Sequence, residues 1–79
     1  MNAEHLITMA NDIANFFHSE PDHQVAVAGV TNHIKRFWEP RMRKKIVAHV
    51  HEHGADGLSE LALAAVRKVG ELDAAAAAR

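Results

Sequence analysis

An all-α fold is predicted for this chain: a small bundle of three to four short helices with a proline-marked bend near Pro40. Three observations lead there. Apolar residues recur at the 3.6-residue spacing of one helical face through four successive segments. No strand-like alternation persists beyond a few residues; QVAVAGV is rich in valine, but its helical phase runs on into Ile34 and Phe37. The breakers Pro21, Pro40, Gly54 and Gly57 fall between the segments rather than within them.

In the first segment Leu6, Met9, Ala10, Ile13, Phe16 and Phe17 occupy an arc of about 120°, with Thr8, Asn11, Asp12 and Asn15 outside it. Pro21, within HSEPDH, marks the first connection. The second segment extends from about His23 to Phe37 and places Ala26, Val27, Val30, Ile34 and Phe37 on one face, with Trp38 at its margin. Pro40 ends it, because the residue before a proline is pushed out of the α region. The same proline suits the first turn of a new helix, where its missing N–H costs nothing. That third helix carries a narrow stripe of Met42, Ile46 and Val50, and Gly54 is its natural stop. Asp56 is a candidate N-cap for the fourth helix, which aligns Leu58, Leu61, Ala62, Ala65, Val66, Val69 and Leu72. Ile7, Val47 and Leu63 lie off these stripes and suggest a second apolar surface, for a partner or for self-association of the isolated chain. The expected organisation is one helical domain over residues 1–72 followed by an Ala-rich tail, 73–79, which frays.

Composition narrows the function classes. A single domain of 79 residues has a small core and marginal stability of its own. It has no cysteine for disulfides, thiolate zinc sites or iron–sulfur clusters, which is compatible with a reducing cytoplasm. No apolar run reaches the ~18 residues of a membrane span, and MNAEHLITMAND has none of the parts of a secretory signal, so a cytoplasmic location is expected. There is no tyrosine, and His18, Ser19 and Glu20 are consecutive, so on a helix they point apart and form no triad. An enzyme acting by itself is therefore not expected. His49 and His53 share a helical face at i, i+4, the spacing of a metal chelate, but His51 points the other way and no further ligand is evident. Structural histidines at a helix C-terminus are the simpler reading, and no metal site is assigned.

The unusual stretch is HIKRFWEPRMRKK, residues 33–45. It holds six of the nine basic residues and the only tryptophan of a chain whose net charge is −1. Basic charge interleaved with aromatics is the composition of a nucleic-acid footprint, although no helix-turn-helix spacing or zinc knuckle accompanies it. Trp and Arg are equally the residues most enriched in protein-binding hot spots. Arg36, Trp38, Glu39, Arg41, Arg43 and Lys44 are accordingly the candidate partner-binding residues. Trp38 has two open assignments: an exported anchor, or a ring closing a small core.

HIKRFWEPRMRKKI resembles the signature of the delta subunit of soluble NAD-dependent formate dehydrogenases, His-Ile-(Arg/Lys)-x-Phe-Trp-(Asp/Glu)-Pro-(Arg/Lys)-Met. LITMANDIANFF is similar to the family's Met-Ala-Asn-x-Ile-x-x-Phe-Phe element, and GADGLSELALAAV to its C-terminal end. The resemblance implies a non-catalytic accessory subunit that binds the catalytic alpha subunit and supports assembly, stability or molybdenum-cofactor insertion. It implies a parent complex with a molybdenum or tungsten bis-pterin guanine dinucleotide centre, iron–sulfur clusters, FMN and NAD, all in other subunits and none bound by this chain. Arg36, Arg41 and Arg43 would then pair with partner carboxylates or meet the pyrophosphate of the guanine dinucleotide. A small basic-patch domain binding nucleic acid is the alternative function.

Overall fold

The structure, a computed structural model, describes residues 2–78. Four helices are present among them: α1 (Ala3–Phe16), α2 (His23–Phe37), α3 (Pro40–His53) and α4 (Glu60–Ala77). There are no strands among the described residues. The all-α prediction therefore holds, as does the helix break before Pro40.

Local chemistry sets each boundary. The side chain of Asn2 accepts from the N–H of His5 at 2.8 Å and caps α1. Asp22 does the same for α2, accepting from Gln24 at 2.9 Å. At α3 the cap residue, Glu39, makes no side-chain hydrogen bond, and Pro40 in the first turn removes one N–H that would otherwise need a partner. Gly54, at φ 69°, closes α3 in a left-handed conformation that costs glycine little. The N-cap of α4 is Ser59, accepting from Ala62 at 3.2 Å, not Asp56. Asp56 sits earlier in the turn at φ 34°, with its carboxylate on His49. Asn11 joins this turn to α1: its side chain donates to the carbonyl of Gly57 at 2.9 Å and accepts from the N–H of Ser59 at 2.8 Å.

The core gathers Leu6, Ala10 and Ala14 of α1, Val30 and Ile34 of α2, Ile46 and Val50 of α3, and Ala62, Ala65, Val66 and Val69 of α4, closed by Trp38 and Leu58. Small residues on α1 and α4 let the helices approach closely. A side chain at Gly70 would come within 3.0 Å of Val47, and one at Gly29 would overlap the ring of Phe17.

Several expectations are corrected. Phe16 is 81% exposed because Ala14 extends the buried row of Leu6 and Ala10, which leaves Phe16 about 120° from that row's centre. Phe37 is 67% exposed, since the extended backbone at Trp38 (φ −88°, ψ 137°) turns the larger indole inward in its place. Leu72 is also exposed, on the rim of a groove of about 400 Å³ between α2 and α4. Ile7, Val47 and Leu63 are not a separate apolar surface: they pack against the core, because each helix meets more than one neighbour. The Ala-rich stretch expected to fray remains helical to Ala77.

Candidate partner-binding site

The six candidate residues divide into two groups. Trp38 and Arg43 belong to the framework. Trp38 is 5% exposed within the core, and its N–H donates to the carbonyl of Ile34 at 2.9 Å. Arg43 donates from Nη1 to the Trp38 carbonyl at 2.9 Å and from Nε to Asp73 Oδ2 at 2.9 Å. Lys35 pairs with the other oxygen of Asp73. One carboxylate of α4 thus holds a cation from α2 and a cation from α3, and the arginine also satisfies the carbonyl at the helix break. Burial pushes the Asp73 carboxyl upward, but the hydrogen bonds and charges of Lys35 and Arg43 outweigh it and hold the pKa below the ordinary carboxylate value.

The remaining candidates face outward. Arg36, Glu39, Arg41 and Lys44 are exposed, together with Lys45. Among the described residues, none of Arg36, Arg41, Lys44 and Lys45 has an ion-pair partner. Glu39, Pro40, Arg41 and Lys44 line a shallow recess where α3 begins. Arg36 lies 5.7 Å from the centre of the Phe37 ring, a cation–π distance. The α2–α3 corner is therefore a cationic surface with a single carboxylate, supported from behind by the Asp73 pairings. Lys35 and Arg43, counted with the basic stretch, are engaged internally by Asp73, whose single negative charge offsets one of their two positive charges.

Asp73 is the residue that sequence reasoning missed. It lies one helical turn beyond Val69 on the buried row of α4, a phase that marks it as inward-facing despite the alanines that follow. The rings of His49 and His53 are neighbours, with centres 4.7 Å apart and planes tilted by 40°, but His49 Nε2 meets Asp56 Oδ2 at 2.6 Å, tying the end of α3 to the following turn. No three His, Asp or Glu side chains converge as metal ligands among the described residues. Nor is a pyrophosphate cradle evident: α1, α2 and α4 are capped by their own side chains, and a glutamate precedes α3.

Among sequence models of known families, one described as the NADH-dependant formate dehydrogenase delta subunit FdsD matches residues 5–66. The matched span contains all of α2 and α3 and ends within α4, before Asp73. No curated protein and no solved structure matches the chain.

Proposed function

The chain belongs to the family of NADH-dependent formate dehydrogenase delta subunits, and from that premise we propose that it is a non-catalytic subunit binding the catalytic alpha subunit. Its work there is assembly, stability or insertion of the molybdenum cofactor. In this reading formate oxidation and electron transfer to NAD belong to the larger subunits. Those subunits carry the molybdenum or tungsten pterin centre, iron–sulfur clusters and FMN, and this chain supplies no ligand to any of them.

The observation that carries the reading is the family match across residues 5–66, which includes the whole Phe-Trp-Glu-Pro corner. The free cations Arg36, Arg41 and Lys44 support a partner rich in carboxylates. Self-capped helix N-termini and the engagement of Arg43 by Asp73 favour carboxylates over cofactor pyrophosphate. Trp38 and Arg43 contribute indirectly, by fixing the corner that presents the others.

Co-expression with the catalytic subunit, with and without this chain, tests the proposal. The expected result is that this chain co-purifies with the complex and that its omission lowers complex yield or pterin and metal content. A fully assembled, fully loaded complex that never retains this chain and does not need it would overturn the reading.

A further inference from the structure

The aromatic residues at and beyond the edge of the core are not scattered. Phe16 and Phe17 meet edge to face with ring centres 5.3 Å apart. Phe17 lies over Gly29, close enough that a Cβ there would be 2.4 Å from its ring. His33 follows Gly29 by one turn on the same row of α2, and its ring packs against Phe37 with centres 4.7 Å apart and planes tilted by 42°. Arg36 then covers Phe37 at 5.7 Å. Phe16, Phe17, His33, Phe37 and Arg36 thus form one ridge along α1 and α2, running roughly 12 Å from Gly29 to Phe37. The two aromatics at its ends are also the most exposed large apolar side chains among the described residues, at 81% and 67%. A glycine in mid-helix is disfavoured relative to alanine. Here it is what lets the Phe17 ring close onto α2 and carries the ridge across two helices.

We propose that this ridge is the docking surface for the catalytic alpha subunit, received in an apolar groove whose rim carries carboxylates. The inference rests on the delta-subunit reading and adds to it the face and its chemistry. The occupant follows from charge. The ridge ends at Phe37, the last residue of α2, where α3 then begins with Arg41, Lys44 and Lys45; these and Arg36 are unpaired among the described residues, against Glu39 alone. A partner with carboxylates beside an apolar slot complements both parts at once. A second copy of this chain meeting corner to corner would instead bring like charges together, which costs affinity.

The test uses the full complex, with this chain tagged and titrated onto complex purified without it. Phe16→Ser and Phe37→Ser alter exposed positions, so thermal melts of both variants should match the parent chain. Each is expected to weaken binding about tenfold or more, as for an aromatic anchor, and the pair to abolish it. Leu72→Ser, an exposed apolar residue off the ridge, is expected to bind as the parent. Parent chain that binds while the Phe16 and Phe37 variants bind equally well overturns the ridge and leaves the delta-subunit reading standing. Parent chain that fails to bind at all overturns this occupant, and the accessory-subunit reading falls with it where that complex is also fully assembled and loaded without this chain. Sedimentation of the isolated chain supplies the last outcome: a dimer dispersed by Phe37→Ser would assign the ridge to self-association and overturn the partner named here.

Discussion

Phe37 and Trp38 are neighbours in sequence with opposite fates, and helical periodicity alone misassigns the first of them. A 3.6-residue phase presumes that the helix continues, whereas here it stops at Phe37 and the next residue turns inward on extended backbone. The consequence is measurable by denaturant unfolding. Trp38→Ala removes a buried indole and should cost about 3–5 kcal/mol, enough to leave a domain of this size largely unfolded. Phe37→Ala should change stability by no more than about 0.5 kcal/mol. Equal losses for the two variants would refute the burial of Trp38, and any binding defect of Trp38→Ala has to be read beside its melt. Thr31 offers the opposite sign. It is 3% exposed and its hydroxyl has no hydrogen-bond partner among the described residues. Thr31→Val, nearly the same shape without the orphaned polar atom, should be neutral or stabilise by about 1 kcal/mol.

At the scale of elements, the four helices were legible because each has an apolar row longer than two turns and a breaker separates it from the next. Where the reading erred, the deciding contact lay between helices. Asp56 and Ser59 are both competent caps, and the choice between them follows from Asn11 of α1, which holds the turn at Gly57 and Ser59. The DAAAAAR stretch looked featureless because poly-alanine has no amphipathic pattern. Its one informative residue, Asp73, acts through partners some thirty or more positions away in α2 and α3. That clamp carries a pH signature. The folded pKa of Asp73 is depressed, so its contribution is fully present above the unfolded value of 3.8 and is lost as pH falls through the lower folded value. Unfolding free energies followed from about pH 6 down to about pH 2.5 should therefore decline less for Asp73→Asn than for the parent chain. At neutral pH the same substitution should cost about 1 kcal/mol, since the three side chains are 15–30% exposed and partly screened. An unchanged acid limb would show that the clamp is not formed in solution.

For the whole molecule, the net charge of −1 conceals a separation that matters for encounter. Positive charge collects at the α2–α3 corner, while part of the basic stretch is cancelled from within by Asp73. The sequence showed the first fact and concealed the second, because pairing across the bundle is not a property of any local window. The corner and the ridge should accordingly affect different rate constants. Exposed charges at a rim act over roughly a Debye length, about 8 Å at physiological ionic strength, and steer approach. Desolvated aromatic anchors hold the finished complex and set its lifetime. In surface-immobilised binding to the complex, Arg41→Glu combined with Lys44→Glu should lower the association rate constant several-fold and flatten its dependence on salt. The dissociation rate constant should stay nearly unchanged. Phe37→Ser should do the reverse, speeding dissociation about tenfold with association little altered. If the charge reversals instead accelerate dissociation as strongly as Phe37→Ser, the cations are buried contacts of the interface rather than its rim. The ridge would then have to be redrawn to pass through Arg41 and Lys44.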